Sequence, residues 1–156
     1  MSRYLRPILT LILAATAAQS AQNQTVVFVC EHGSAKSVIA AAYFNRLAES
    51  KGLPYRAVSR GLNPDSEIPA NIRTGMSADG FDIRNWKPQL LGDADIHMAK
   101  HVVTLSCELP KTKSIEPGKL IEWANLPAVS DGYPEARAEI VRRVEGLLKQ
   151  LSSARR

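Results

Sequence analysis

The sequence has few cysteines, no low-complexity tract, no internal repeat and no hydrophobic run long enough to span a membrane. Its 156 residues include only Cys30 and Cys107, which excludes a scaffold held together by several disulfides. With 45% apolar and 22% charged residues, the chain has the composition of one ordinary globular domain rather than of a disordered segment. The two cysteines could form a structural disulfide, act as a redox pair, or be one reactive thiol and one bystander.

The chain also lacks a strong surplus of charge of one sign. Its net charge is +5 at pH 7, and Arg3 and Arg6 near the N-terminus account for two of these charges. The remaining basic residues are scattered, and the arginine pairs at 142–143 and 155–156 fit solvated helix and tail positions. We therefore expect no nucleic-acid partner, whereas small anionic substrates are compatible with this charge.

The first 24 residues have the pattern of a secretory signal peptide. Arg3 and Arg6 precede an apolar run over residues 8–18, and Ala15-Thr16-Ala17 is a candidate cleavage triplet. This run is shorter than the ~20 residues that a membrane-spanning helix requires. We expect removal of residues 1–24, a domain over residues 25–156, export to the periplasm and no stable membrane insertion. A retained anchor or an unstructured tail is the alternative.

Short strands and helices alternate along the rest of the chain. The continuous apolar, β-branched run at residues 25–29 predicts a strand buried on both faces. The same kinds of pattern predict further strands at 55–59, 101–105 and 120–123 and helices at 37–50, 69–78 and a closing segment with an apolar stripe over 140–151. This alternation predicts an α/β domain with a parallel sheet. In such sheets ligands bind beyond the carboxyl ends of the strands, where Cys30 stands.

Residues 30–37, Cys-Glu-His-Gly-Ser-Ala-Lys-Ser, connect the first predicted strand to the first predicted helix, and we call them the oxyanion loop. Backbone N–H groups and the helix dipole make such a connection a cradle for anions. Gly33 permits a positive φ or a close approach to the ligand, and the small Ser34 and Ala35 leave the amides unobstructed.

The same surroundings favour the thiolate form of Cys30, which is the nucleophilic form of a cysteine. Lys36 supplies a cation at the end of the loop, and the Ser37 hydroxyl can donate a hydrogen bond to the sulfur. The alternatives are a buried structural thiol at residue 30 and a solvated lysine at residue 36.

The pattern Cys-x5-Lys-Ser closely resembles the Cys-x5-Arg-Ser signature of the low-molecular-weight protein-tyrosine phosphatases and the related thiol-coupled arsenate reductases. Further matches cover residues 25–150 in order, namely the strand before Cys30, Ser59-Arg60-Gly61, Gly80-Phe81-Asp82-Ile83, Asp95, residues 102–105 and Trp123. The resemblance implies a three-layer, doubly wound fold with a parallel four-stranded sheet and a phosphatase-type loop. It also implies a reaction on a phosphate- or arsenate-type oxyanion, such as that of a phosphoprotein, without metal or cofactor.

The resemblance assigns roles to individual residues. It implies that Cys30 is the nucleophile and that Lys36 and Ser37 are catalytic. It implies that the other loop residues bind substrate, namely Glu31, His32, Gly33, Ser34 and Ala35.

The sequence departs from the family pattern in three respects. Lys36 replaces an arginine, and a lysine is a point charge that cannot grip two oxygens with a planar fork. Gly33 replaces an asparagine and His32 a glycine, so we expect the loop to lack an ordering side chain. The family's Asp-Pro general acid falls near Pro127, where no aspartate occurs, and Asp131 is the nearest substitute.

Two of these side chains have alternative roles. Asp131 could instead cap the helix that begins near Pro134. His32 could poise the thiolate, donate a proton to the leaving group, or be a surface residue.

Cys107 lies one residue away from the position at which the arsenate reductases carry a resolving cysteine. It is a candidate redox partner of Cys30, with an external thiol reductant as a further partner. A bystander role or a protective disulfide with Cys30 is the alternative. The leading hypothesis is a cysteine-dependent phosphatase that forms a phosphocysteine intermediate, followed by an arsenate reductase and by a non-catalytic oxyanion-binding module.

Overall fold

The computed structural model describes residues 23–154, and its strands and helices alternate as the sequence predicts. The elements in chain order are β1 (Gln24–Cys30), α1 (Lys36–Ser50), β2 (Tyr55–Gly61), α2 (Ala70–Ala78), α3 (Asp93–Met98), β3 (His101–Leu105), β4 (Leu120–Trp123) and α4 (Tyr133–Ser153). The predicted leader lies outside the described residues, apart from Asn23 and Gln24.

The four strands form one sheet in the order β2-β1-β3-β4, and every pair is parallel. The side chains from Val26 to Val29 in the central strand β1 have no solvent exposure, which explains their unbroken apolar sequence. Because all strands run the same way, the carboxyl ends at Cys30, Gly61, Leu105 and Trp123 meet at one edge of the sheet.

Helical layers cover both faces of the sheet, which confirms the three-layer α/β fold. On one face, α1, α2 and α4 enclose a core in which Phe28 packs against Phe44 and Trp123, with ring centroids 5.6 Å apart in each case. On the other face, Val27 and Val29 pack with Ile96 of α3. The six-residue helix α3 was not predicted, because it is too short to show a helical period.

The free edge of β2 is protected by side chains and by a neighbouring segment. The Asn45 amide donates to the Ala57 carbonyl at 3.0 Å and accepts from the Ala57 N–H at 2.7 Å, as a partner strand would. Gly61 exchanges backbone hydrogen bonds with residues 89 and 91. Within residues 23–154, no helix combines the length and apolar character needed to cross a membrane.

Candidate active site

The oxyanion loop connects the end of β1 to the start of α1. Cys30 is the last residue of β1, and α1 begins at Lys36 after Ala35, whose side chain cannot accept a hydrogen bond from the helix. The first-turn N–H groups of a helix have no partner within that helix, so this 15-residue helix directs unpaired donors at the space beside Cys30.

The Cys30 thiol contacts the hydroxyl of Ser37 in the first turn of α1. The Sγ–Oγ distance is 3.1 Å, and Ser37 is completely buried while Cys30 is 6% exposed. When Cys30 is a thiolate, the hydroxyl is the donor, and a hydrogen bond to the charged form stabilises it. The structure therefore brings together the candidate nucleophile and the hydroxyl that the sequence suggested.

Gly33 lies where the loop touches the end of β2. Its φ is +61°, and a Cβ added to it would stand 2.7 Å from the Gly61 nitrogen. The sequence left open a positive φ or a close approach to the ligand. The structure shows the positive φ together with a close approach to another glycine, so both glycines are needed for backbone to pack on backbone.

The segment after β2, residues 62–65, donates backbone hydrogen bonds to the oxyanion loop. Backbone N–H groups of Leu62, Asn63 and Asp65 donate to the carbonyls of residues 30, 31 and 32 at 3.2, 2.8 and 3.0 Å. These bonds hold the three loop carbonyls against residues 62–65.

Two side chains of the same segment complete the support. Asp65 Oδ2 accepts a hydrogen bond from the Ser34 hydroxyl, and Asp65 Oδ1 lies 3.5 Å from Nδ1 of His32. Asn63 Nδ2 donates to Glu31 Oε1 at 2.6 Å. Gly33 leaves the loop without the family's asparagine, and Asp65 and Asn63 contact the loop side chains from outside it.

A cavity of about 230 Å³ opens beside Cys30. Its lining combines six loop residues with the ends of two other segments: Cys30, Glu31, His32, Ser34, Ala35, Lys36, Leu105, Ser106, Ala128, Val129 and Ser130. Among the described residues Lys36 has no carboxylate partner within salt-bridge distance, so its charge is available to an anion. No group of three or more His, Cys, Asp or Glu side chains in residues 23–154 is arranged to hold a metal ion.

Asp131 does not line this cavity, although the three residues before it do. Its carboxylate is exposed and accepts a hydrogen bond from the Ser130 hydroxyl at 3.3 Å. The N-cap of α4 is Gly132, so the capping role considered for Asp131 is wrong. Its catalytic role stays a prediction. The resemblance places the family's Asp-Pro pair near Pro127, and the residue before that proline is Leu126. Leu126 is buried, and its N–H donates to Ser106 Oγ at 3.0 Å.

Cys107 is half-buried and lies on the other face of the sheet. Its thiol donates to the carbonyl of Val29 at 3.4 Å, and it packs with the cluster of Val27 and Val29, whereas Cys30 belongs to the opposite core. Burial raises the pKa of Cys107 to about 11, and the neighbouring Cys30 and Glu31 add to this effect. Both thiols are free, so the structure contains no disulfide between them.

The sequence model of the low molecular weight phosphotyrosine protein phosphatases matches residues 25–116. This chain belongs to that family. Members of the family are cysteine-based enzymes that act on phosphate or arsenate oxyanions. The resemblance inferred from the loop and the later motifs is thereby confirmed.

Solved structures of family members share the fold. A thioredoxin-dependent arsenate reductase of Corynebacterium glutamicum is 26% identical with a TM-score of 0.72; the match covers 86% of this chain but only 65% of that one. An arsenate reductase of Archaeoglobus fulgidus is 26% identical with a TM-score of 0.63, over 80% and 98% of the two chains. A low molecular weight protein tyrosine phosphatase of T. tengcongensis, 16% identical over 82% and 99% with a TM-score of 0.71, shows the fold alone. None of the curated proteins matches the chain significantly.

An ion pair between Arg60 and Asp95 connects two elements of the fold. Arg60 binds Asp95 through Nε at 3.0 Å and through its terminal nitrogen at 2.8 Å, which ties β2 to the start of α3. Burial alone would raise the pKa of Asp95, but Arg60 and the Gly92 N–H outweigh it and lower that pKa.

Asp79, just past α2, ties α1, α2 and the start of α4 together. It accepts hydrogen bonds from the hydroxyls of Tyr43 at 2.8 Å and Tyr133 at 2.6 Å, and Arg137 donates to it at 2.7 Å. Tyr133 is the first residue of α4, so Asp79 fixes where the segment before α4 ends. Burial alone would raise the pKa of Asp79, but these three partners outweigh it and lower that pKa.

Sequence reasoning missed Asp65 as a supporting residue of this family site. The available signal was its position four residues after Gly61, at the end of the strand next to β1. Parallel neighbours end at the same edge of the sheet, so a polar side chain there has the oxyanion loop within reach.

Proposed function

We propose that this protein is a cysteine-dependent phosphatase that hydrolyses phosphate monoesters through a phosphocysteine intermediate. The observation that carries the proposal is the 3.1 Å contact between Cys30 Sγ and the buried Ser37 hydroxyl, at the N-terminus of α1 and at the wall of a cavity. A thiolate at this position lies beside unpaired backbone N–H donors, and these donors stabilise the negative charge of a bound anion.

The reaction follows from this arrangement in two steps. Cys30 Sγ attacks phosphorus, a sulfur–phosphorus bond forms, and the ester oxygen departs with the electron pair of its bond and takes up a proton. Loop amides and Lys36 bind the non-bridging oxygens, whose charge they stabilise. Water then attacks phosphorus, the thiolate leaves, and inorganic phosphate is released.

The walls of the cavity support an aryl leaving group. Leu105, Ala128 and Val129 present apolar surface opposite the oxyanion loop. Apolar walls with convergent polar groups at one end suit a ring that ends in a phosphate. We therefore take phosphotyrosine, in a phosphoprotein, as the substrate class that this proposal names.

Phosphate release from 4-nitrophenyl phosphate and from a phosphotyrosine peptide tests the proposal. We expect turnover by the wild-type protein, loss of at least about 1,000-fold in Cys30→Ser, and a phosphorylated Cys30 in rapidly quenched samples seen by mass spectrometry. Cys107→Ser is the matched control and should keep the wild-type rate. Phosphate binding by calorimetry without turnover at any pH would contradict a phosphatase and indicate a non-catalytic oxyanion module.

Arsenate reduction is the second candidate, and two observations favour it. Two solved structures that are 26% identical to this chain are arsenate reductases, and a second thiol, Cys107, follows the strand beside β1. In this reaction Cys30 attacks arsenic and water leaves. A second thiol then attacks the Cys30 sulfur, so that a disulfide forms and arsenic(V) departs as arsenic(III).

The position of Cys107 supports an external thiol as the resolving partner. Cys107 is a protonated donor on the opposite face of the sheet, and a protonated thiol is a poor attacking group. Arsenite formation should therefore require an added thiol reductant and persist in Cys107→Ala. Arsenite formation that fails in Cys107→Ala would assign resolution to Cys107 instead.

We place this activity in the periplasm, on the basis of the leader-like pattern of residues 1–24. The N-terminal sequence of the protein recovered from a periplasmic extract tests this location. An uncleaved N-terminus in the cytoplasmic fraction would contradict it.

A further inference from the structure

The phosphatase reaction needs a proton donor for the leaving oxygen, and the family's usual position does not provide one. That position holds the buried Leu126, and Asp131 lies outside the cavity lining. The titratable side chains that do line the cavity, besides Cys30, are Glu31, His32 and Lys36.

Glu31 and Lys36 are poorly suited to proton donation. Glu31 Oε1 is engaged by a 2.6 Å hydrogen bond from Nδ2 of Asn63, a residue that does not line the cavity. Lys36 carries the charge that binds the anion, and it has no carboxylate partner among the described residues. His32 is the remaining group.

His32 has the geometry of a donor that is oriented by a carboxylate. Its Nδ1 lies 3.5 Å from Asp65 Oδ1, which leaves Nε2 as the nitrogen available to a ligand in the cavity. The imidazole is 61% exposed and also lines the cavity, so it stands at the mouth of the cavity.

Asp65 is itself held firmly against the loop. Its backbone N–H donates to the His32 carbonyl at 3.0 Å, and its other carboxylate oxygen accepts the Ser34 hydroxyl. The same residue therefore fixes the backbone of His32 and faces its ring, which is the arrangement of a base or acid oriented by a third group.

We propose that His32, positioned by Asp65, is the general acid of this enzyme. The inference rests on the proposed phosphatase function. As the phosphorus–oxygen bond breaks, the Nε2–H of the imidazolium passes its proton to the leaving oxygen. In the second step the neutral imidazole takes a proton from the attacking water, which restores the imidazolium as the thiolate of Cys30 departs.

A pair of substrates with different leaving groups tests the role of His32. The 4-nitrophenolate ion leaves without protonation, whereas the more basic phenolate ion from phenyl phosphate needs the proton. We expect His32→Gln to lower kcat/KM, which reports on the step that breaks the phosphorus–oxygen bond, at least about tenfold more for phenyl phosphate than for 4-nitrophenyl phosphate. His97→Gln, which changes an exposed histidine at the end of α3, should leave both rates unchanged.

A second set of variants tests the positioning role of Asp65. Asp65→Asn keeps an oxygen that can accept from Ser34 but removes the charge that faces His32, so we expect the same leaving-group dependence with a smaller loss. Ser34→Ala removes the other contact of Asp65, and should affect the two substrates equally.

The outcomes separate failure of this inference from failure of the proposed function. If the wild-type protein hydrolyses neither substrate, the phosphatase proposal fails. If it hydrolyses both and His32→Gln lowers kcat/KM equally for the two substrates, His32 is not the acid. A leaving-group-dependent loss in Asp131→Asn or Glu31→Gln, but not in His32→Gln, would overturn the inference and assign the proton to that carboxyl group.

Discussion

Cys30 and Cys107 follow neighbouring strands, β1 and β3, which pair side by side in the sheet. The loop that begins at Cys30 leads into the 15-residue helix α1, and the Cys30 thiol contacts the buried hydroxyl of Ser37. The segment that contains Cys107 connects β3 to β4 without a helix. The Cys107 thiol donates to the Val29 carbonyl, and Cys107 lines a different groove together with Glu108 and Glu122. Ser106 lines both cavities.

This comparison shows that the edge of the sheet does not by itself make a thiol reactive. Both cysteines occupy the topological position at which parallel sheets bind ligands. What differs is the environment of each sulfur: Cys30 lies beside the unpaired N–H donors of α1, whereas Cys107 is half-buried, donates to the Val29 carbonyl and feels the charge of Glu31. Hydrogen-bond donors favour a thiolate, whereas burial and negative charge favour the thiol.

Alkylation rates should give the largest contrast between the two thiols. The pKa of Cys107 is raised from 9.0 to about 11, so at pH 7 its thiolate fraction is about 100-fold lower than that of an ordinary cysteine. We expect iodoacetamide to modify Cys30 first, as measured by peptide mass spectrometry. The rate at Cys107 should rise about tenfold for each pH unit until the pH reaches about 11.

The Cys30→Ser variant isolates Cys107 for this measurement, and the unfolded protein supplies the reference rate. Equal modification of both cysteines at pH 7 would contradict the contrast drawn between the two strand ends.

The packing of the oxyanion loop on β2 should give the next largest effect. Gly33 and Gly52 both have φ +61°, but only at Gly33 would a Cβ meet backbone atoms, since nothing lies within 4 Å of one at Gly52. We expect Gly52→Ala to cost about 1 kcal/mol in the free energy of unfolding, from the unfavourable φ alone. Gly33→Ala should cost about 2 kcal/mol more, because the loop must move away from Gly61.

Urea denaturation measures both glycine variants, and phosphatase activity should fall only in Gly33→Ala. Equal destabilisation by the two substitutions would show that the loop does not depend on the close approach of Gly33 and Gly61.

The hydroxyl of Ser37 should have a smaller effect, limited to catalysis. Removing a hydrogen bond to a charged sulfur costs about 1.5 kcal/mol, which corresponds to about tenfold in kcat for Ser37→Ala. Ser50→Ala, at the exposed end of the same helix, is the control and should retain full activity. A tenfold loss in both variants would point to a change in α1 rather than in the thiolate.

The hydrogen bond from Tyr133 to Asp79 should give the smallest effect. Tyr133→Phe removes one hydrogen bond to Asp79 and should cost about 1 kcal/mol in the free energy of unfolding. Because the folded pKa of Asp79 is lowered, the stabilisation is present above its unfolded value of 3.8 and is lost as the pH falls through the folded value. The deficit of the variant should therefore shrink in acid.

Tyr55→Phe is the matched control for this hydrogen bond. The Tyr55 ring is buried, but its hydroxyl makes no side-chain hydrogen bond to any residue in the described range. A deficit of Tyr133→Phe that stays constant between pH 7 and pH 3 would contradict the coupling to ionised Asp79.

Periodic patterns in the sequence were sufficient to predict four strands and three of the four helices. The strand at 101–105 and the strand at 120–123 have the predicted bounds, and α1 begins one residue before the predicted start. The helix α3 escaped prediction because six residues hold fewer than two turns. Asp95 caps α3 by accepting the Gly92 N–H, and the same carboxylate binds Arg60 of β2. A contact with a residue 35 positions away cannot be read from the local sequence.

Within the site, the sequence predicted the residues of the oxyanion loop and missed what supports them. Cys30, Ser37 and Gly33 lie where a strand-to-helix connection with a glycine would place them. Asp65 was missed because its contacts join residues about 30 positions apart, and Asp131 was expected near a cavity whose lining excludes it.

The sequence by itself determined the class of fold and the candidate nucleophile, because hydrophobic periodicity and loop chemistry are local properties of the chain. The tertiary structure decided which of two similar thiols faces unpaired donors. It also decided that Asp65, rather than Asp131, stands against the oxyanion loop. Such choices depend on strand order and on which faces of the sheet receive each side chain, and both are set by packing between distant segments.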